Sequence, residues 1–196
     1  MRTRISQVVT GLICLALAGA ALPAVPAAAY TETKTTATKT APYMVFQRNN
    51  KAPQRGTLTA YVSVGSTRYR VSMRAGTGSG VVSECVRNKG QIPVGFYDPR
   101  DEDSNSTLVY ISNKTWGNSV IRGAVWSLGN KVCHPKAGEK RITRTDLFIH
   151  SEGTSGWTEN NYKSNGCIKV NQTDRAQLKK RWSAAYRRDT GMLMVY

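Results

Sequence analysis

The feature that most restricts the fold of this chain is a pair of alternating segments joined by a tight turn. In residues 57–64 and 68–74, apolar side chains occupy every second position, and Gly65 and Ser66 separate the two segments. Alternation with a period of two is typical of a β-strand with one buried face, and a glycine-containing pair favours a two-residue turn. The sequence therefore predicts a β-hairpin with one solvent-facing side.

Further short β-type runs follow, separated by clusters of Gly, Asn and Pro. They lie at residues 108–112, 120–126, 146–150, 167–170 and 192–196. One segment instead favours a helix, because its apolar side chains recur at helical spacing. These are Leu178, Trp182, Ala185 and Tyr186, and either Asn171 or Thr173 could cap the helix. The prediction is a mostly β single domain with one C-terminal helix.

Residues 1–29 have the composition of an export signal. Arg2 and Arg4 precede an apolar run, and three alanines end at Ala29, where a signal peptidase would cut. The run is short for a membrane span. We therefore expect a secreted protein with no transmembrane segment after signal cleavage.

The rest of the chain divides into a linker and one domain. Residues 30–42 are rich in Thr and Lys and predict a disordered spacer, whereas residues 43–196 are long enough for one domain with a core. The formal net charge of +16 falls to +14 without Arg2 and Arg4. A protein this basic is attracted to polyanions such as anionic cell-wall polymers. No motif of a nucleic-acid module is visible, so we predict no specific nucleic-acid partner; we expect a monomer.

Three cysteines remain once the signal is removed, namely Cys85, Cys133 and Cys167. In an oxidising compartment, an odd number suggests one disulfide and one free thiol. We expect a Cys85–Cys133 disulfide and a free Cys167, although three buried, unreactive thiols are an open alternative. His134, beside Cys133, is interpreted as structural. No metal site is predicted, because no C-x-x-C or H-x-x-x-H pair occurs.

The surroundings of Cys167 fit a thiol nucleophile. His150 ends a β-type run, a loop of small residues follows, and Ser164-Asn165-Gly166-Cys167 then opens another strand. A nucleophilic thiol needs a nearby imidazole to take its proton. A glycine before the cysteine lets successive backbone N–H groups point towards a developing oxyanion. Serine hydrolase chemistry is not favoured, because the chain has no G-x-S-x-G elbow.

This arrangement resembles the catalytic domain of L,D-transpeptidases, the YkuD-like family. That family carries a histidine, a spacer and then Ser/Thr-His-Gly-Cys, which His150, Ser164, Gly166 and Cys167 match. A glycine turn at 78–80, a strand start at 92–97 and the closing helix and strand are also similar, so the resemblance covers residues 43–196. It implies an L,D-transpeptidase-like β-sandwich or barrel.

The resemblance also implies roles for individual residues. Cys167 would be the acyl-accepting nucleophile, His150 its base, and the backbone carbonyl of Ser151 the group that orients the imidazole. Oxyanion donors and substrate-binding positions would be Ser164, Asn165, Gly166 and Lys169. Two of these depart from the family pattern, since Asn165 replaces the motif histidine and Lys169 replaces an asparagine or arginine.

The implied substrates are peptidoglycan stem peptides. Cys167 would take a tetrapeptide stem as a thioester and release D-alanine, and the side-chain amine of a second stem would resolve it into a 3→3 cross-link. Such an enzyme acts extracytoplasmically at the wall, serves wall organisation and cell shape, and needs no cofactor. Three alternatives stay open: an L,D-carboxypeptidase or endopeptidase using the same thioester, a non-catalytic cationic wall-binding protein, and a basic secreted nuclease or toxin.

Overall fold

The computed structural model describes residues 30–98, 106–115, 122–152, 157–189 and 191–196. Several sequence predictions fall outside these residues. They are the export signal at 1–29, the start of the run at 120–126, and the small-residue loop containing Gly153 and Gly156.

The described residues form ten β-strands and one α-helix, which confirms the predicted mostly β domain. The strands are β1 (Thr31–Thr36), β2 (Tyr43–Gln47), β3 (Gly56–Val64), β4 (Thr67–Thr77), β5 (Gly95–Tyr97), β6 (Ser106–Thr115), β7 (Arg122–Val132), β8 (Thr143–His150), β9 (Ile168–Lys169) and β10 (Met192–Val195). The helix is α1 (Gln172–Ser183), and short 3-10 turns lie at Pro53–Arg55 and Glu159–Tyr162. No helix in the described part of the chain is both long and apolar enough to cross a bilayer.

The predicted hairpin is the centre of the sheet. β3 and β4 pair antiparallel, with Val64 opposite Thr67, and Gly65 takes the positive φ of 59° that the two-residue turn requires. The strand order is β5-β10-β2-β3-β4-β9-β8-β7-β6, with β1 also paired to β4. Because β6 packs against β5 and β10 at the far end, the sheet curls into a nearly closed barrel.

The barrel interior is filled by the alternating apolar residues of the strands. From the hairpin these are Leu58, Ala60, Val62, Val71 and Met73, all fully buried. Trp126 of β7 meets Trp182 of α1 edge to face, with ring centroids 5.9 Å apart. The helix therefore closes the interior, as the sequence predicted.

The helix is shorter than its apolar spacing predicted. Asn171 is the cap, since its side-chain oxygen accepts the Asp174 N–H at 2.7 Å. The helix ends at Ser183, so Ala185 and Tyr186 lie in the following turn. There the backbone N–H of Tyr186 donates to the carbonyl of Ser63, which directs the chain back towards the sheet.

The structure corrects the prediction of a disordered spacer at residues 30–42. Residues 31–36 form β1, which pairs antiparallel with β4 from Thr31 opposite Ser72 to Thr36 opposite Thr67. A strand added to a sheet edge is held by backbone hydrogen bonds and needs few apolar side chains. Glu32 fixes it further through a two-pronged ion pair with Arg181 of α1 (2.7 and 2.8 Å).

The predicted disulfide is confirmed. Cys85 and Cys133 are bonded, with Cα atoms 5.4 Å apart and a sequence separation of 48 residues. Closing a loop of this length stabilises a fold by about 4 kcal/mol in the chain-entropy description. Next to the bridge, the backbone N–H and ring Nδ1 of His134 each lie 3.1 Å from the carboxylate of Glu84. This contact agrees with the structural interpretation of His134.

Candidate active site

The pairing of β8 with β9 brings His150 and Cys167 together. The two strands are parallel, with Ile149 opposite Ile168 and His150 opposite Lys169. Because side chains alternate along a strand, Ile149 and Ile168 enter the core, and Cys167, just before β9, shares the other face with His150. The two residues are offset by two positions, about 7 Å along the strands.

Cys167 is partly exposed. Of the cysteines that the structure describes, it is the one that forms no disulfide. It packs against Val125 and Phe148, and its thiol donates to the carbonyl of Asp146 at 3.6 Å. Burial raises the pKa of the thiol to about 11, whereas the Phe148 backbone N–H and the charge of Arg144 act in the opposite direction. In this resting form the thiol is therefore protonated at neutral pH.

His150 is buried and neutral. Burial lowers its pKa to about 3, with a further contribution from the positive charges of Lys169 and Arg175. Its ring Nδ1 lies 3.4 Å from the carbonyl oxygen of Ser151. A carbonyl only accepts, so Nδ1 carries the proton and Nε2 keeps the lone pair that could accept another. The geometry thus fixes the tautomer that a general base requires.

Lys169 lies beside His150 and is also buried. Its amine forms an ion pair with the carboxylate of Glu152. Burial lowers the pKa of Lys169 to about 8, so the amine is still largely charged at neutral pH. In this structure the residue predicted to bind substrate is therefore engaged with a carboxylate of the chain itself.

Ser164 organises the turn that precedes the nucleophile. Its hydroxyl accepts the backbone N–H groups of Gly78 (3.0 Å) and Gly166 (3.1 Å) and donates to the carbonyl of Cys167 (2.6 Å). One donor and two acceptor positions are the full capacity of a hydroxyl. The Gly166 N–H, one of the predicted oxyanion donors, is thus bonded within the turn.

Arg144 supports this turn and was missed by sequence reasoning. It is 3% exposed, and one guanidinium nitrogen donates to the carbonyl of Asn165 at 2.7 Å. Gly166 has a φ of +118° and lies directly against the Arg144 guanidinium. A Cβ added at Gly166 would overlap the guanidinium Nη2. The glycine of the motif is therefore required by backbone conformation and by this contact together.

An irregularity in β8 gives Arg144 its position. Between the pairs Gly129–Leu147 and Lys131–Arg144, β8 advances three residues while β7 advances two. The extra residue is a β-bulge, and Asp146 within it has φ +56°, which is uncommon for a residue with a side chain. On a regular strand Arg144 would share the face of Phe148 and His150, and the bulge moves it to the opposite face.

Comparison with known families agrees with this geometry. The model of the YkuD family, the L,D-transpeptidase catalytic domain, matches residues 35–185. The chain belongs to this family. The match includes the β8–β9 pair with His150 and Cys167, the glycine turn at Gly78, and α1.

Two solved structures are similar to this L,D-transpeptidase-family chain. One is Bd1075 of Bdellovibrio bacteriovorus, with 11% identity over 78% of the chain and a TM-score of 0.44. The other is the helical cell shape determining protein Pgp2 from Campylobacter jejuni, with 13% identity over 82% and a TM-score of 0.45. The chain spans about half the length of each, 47% and 49%. No curated protein sequence matches the chain.

Proposed function

We propose that this domain is a peptidoglycan L,D-transpeptidase in which Cys167 carries the acyl group and His150 transfers the proton. The observation that carries the proposal is the parallel register of β8 and β9, which places a free thiol and a neutral imidazole on one face. Membership of the L,D-transpeptidase family supports the same chemistry and the wall peptide as substrate.

The first half of the proposed reaction is acylation. The thiol of Cys167 rotates from the Asp146 carbonyl towards His150, and its sulfur attacks the carbonyl carbon of the third residue of a tetrapeptide stem. The S–C bond forms as the thiol proton passes to Nε2 of His150. The C–N bond to the terminal D-alanine then breaks, and the imidazole returns the proton to the leaving amine.

The second half regenerates the enzyme. The side-chain amine of a second stem attacks the thioester, and His150 takes its proton. The S–C bond then breaks to give a 3→3 cross-link, and the imidazole passes the proton to the departing sulfur, which becomes a free thiol again. Backbone N–H groups of Asn165 and Cys167 would stabilise the oxyanion in both halves, and that of Gly166 would join them if it left Ser164. Such donors each contribute roughly 3 kcal/mol to the transition state.

The proposal also gives roles to the charge of Lys169 and to the N-terminal segment. Lys169 would bind a carboxylate of the stem by exchanging it for Glu152, its present partner. Export by residues 1–29 would bring the protein to the wall, where the net charge of +14 that remains without Arg2 and Arg4 favours binding to anionic polymers.

Product analysis tests the proposed reaction. Purified protein is incubated with a disaccharide-tetrapeptide, beside Cys167→Ala, and the products are analysed by mass spectrometry. We expect free D-alanine and a 3→3 dimer from the parent protein and neither from the variant. Tripeptide without dimer would establish hydrolysis through the same thioester. Absence of any product would overturn the enzymatic proposal in favour of a wall-binding protein.

A further inference from the structure

Arg144 donates hydrogen bonds to three carbonyl groups in two distant parts of the chain. Its guanidinium donates to the carbonyls of Glu84 (2.6 Å), Gln91 (3.4 Å) and Asn165 (2.7 Å). The first two belong to the long connection between β4 and β5, and the third lies two residues before the nucleophile. One buried side chain therefore holds the Cys167 turn against a distant part of the fold.

In the part of the chain that the structure describes, the Arg144 guanidinium is bonded to carbonyl groups rather than to a carboxylate. Among the described residues it forms no ion pair, and the nearby Glu84 carboxylate is instead bound by Arg48 (2.7 Å) and His134 (3.1 Å). Burial lowers the pKa of Arg144, but an arginine side chain stays protonated in proteins. A buried cation whose described hydrogen bonds all go to neutral carbonyl groups favours negative charge on an ionisable group close to it.

Cys167 is such a group. Among the described residues, the charges that act on its thiol are those of Arg144 and Asp146, both from β8, and the apolar side chains of Val125 and Phe148 pack against it. Arg144 in turn faces Tyr97, Arg87 and Glu84 besides Cys167. His150 is neutral in this structure, so it does not supply a positive charge before the proton has moved.

We propose that Arg144 is the positioning residue of the nucleophile: it fixes the backbone of the Cys167 turn and supplies the buried positive charge that stabilises the Cys167 thiolate. The bulge at Asp146 and the absence of a side chain at Gly166 are what allow the guanidinium to lie under the turn. The inference rests on the proposed role of Cys167 as nucleophile and adds the residue that offsets part of the effect of burial on its ionisation.

The pH dependence of alkylation tests the charge directly. Purified protein reacts with iodoacetamide over a range of pH, and the modified peptide containing Cys167 is quantified by mass spectrometry. In this reaction an S–C bond forms, iodide leaves, and the thiol proton is lost to solvent. For Arg144→Gln and Arg144→Met we expect the pKa of Cys167 to rise by about one unit or more, with alkylation near neutral pH roughly tenfold slower.

Arg144→Lys separates charge from structure. A lysine keeps the charge but cannot reach three carbonyls, so we expect the melting temperature to fall as in the neutral variants while the pKa of Cys167 stays within about half a unit of the parent value. Arg141→Met removes an exposed arginine three residues away and should leave the profile unchanged.

Two results would overturn the inference. One is a folded Arg144→Gln whose alkylation profile coincides with the parent profile; the other is an Arg144→Lys profile shifted as far as that of Arg144→Gln. If neither neutral variant folds, Gly166→Ala displaces the guanidinium instead, and an unchanged pKa of Cys167 there contradicts the charge role. Alkylation needs no wall peptide, so this result is independent of whether transpeptidation is observed.

Discussion

At the scale of single residues, Gly166 is needed for two reasons: its backbone takes a positive φ, and the Arg144 guanidinium leaves no space for a side chain. In Gly166→Ala, the new Cβ would overlap the Arg144 guanidinium, and the backbone of the alanine would be strained at the φ of +118° that Gly166 adopts. Gly138→Ala is the matched control, since φ there is +81° and nothing lies within 4 Å. Urea denaturation should show a loss of about 1 kcal/mol for Gly138→Ala, the strain alone, and about 3 kcal/mol for Gly166→Ala. Equal losses would mean that Arg144 does not confine the glycine.

His150 makes the stability of the protein sensitive to acid. Its pKa is about 3 in the folded protein against an ordinary value of 6.5, so the unfolded chain binds the proton first as the pH falls. The free energy of unfolding should therefore decrease by about 2 kcal/mol between about pH 7 and pH 5 from this residue alone. In His150→Gln that part of the pH dependence should disappear. Parallel stability curves for parent and variant would contradict the neutral, buried imidazole.

Some site residues could be predicted from the sequence and others could not, for a physical reason. Cys167, Gly166 and Ser164 lie in one contiguous motif, and His150 ends a clear strand pattern, so local sequence is enough to find them. Arg144 lies in a polar stretch that has the composition of an exposed strand end. Its burial depends on one extra residue in β8, where Asp146 takes a positive φ. An Asp within a strand pattern does not by itself predict a bulge, so nothing in the sequence indicated this irregularity.

At the scale of elements, α1 depends on its cap. The sequence left Asn171 and Thr173 as alternatives, and the structure assigns the cap to Asn171, which accepts the Asp174 N–H at 2.7 Å. Asn171→Ala should lower the free energy of unfolding by about 1 kcal/mol, whereas Thr173→Ala, at an exposed position, should change it by less than about 0.5 kcal/mol. Thermal denaturation of the two variants gives the comparison. The reverse order would place the cap at Thr173.

The strands that were predicted carry their signal in the side chains, whereas β1, which was predicted to be disordered, is held by its backbone. β3, β4 and β8 place apolar residues in the core, and their alternation or apolar runs predicted them. β1 buries almost nothing, because its stability comes from hydrogen bonds to the edge of β4 and from the ion pair between Glu32 and Arg181. Thr-rich and Lys-rich composition therefore indicated disorder for a segment that is a strand.

At the scale of the whole molecule, a nearly closed barrel that contains the site carries a large positive charge. With the net charge of +14 that remains without Arg2 and Arg4, binding to isolated cell walls should weaken at least tenfold when the salt concentration rises from roughly 0.05 to roughly 0.5 M. Walls stripped of their anionic polymers are the control and should bind weakly at both concentrations. Binding that does not change with salt would contradict an electrostatic origin.

A thioester on Cys167 would be detected in the intact mass of the protein after brief incubation with a tetrapeptide donor and no acceptor, followed by an acid quench. We expect an adduct equal to the donor minus D-alanine, localised to Cys167 and absent from Cys167→Ala. An unmodified protein that still releases D-alanine, or an adduct on another residue, would contradict a Cys167 thioester.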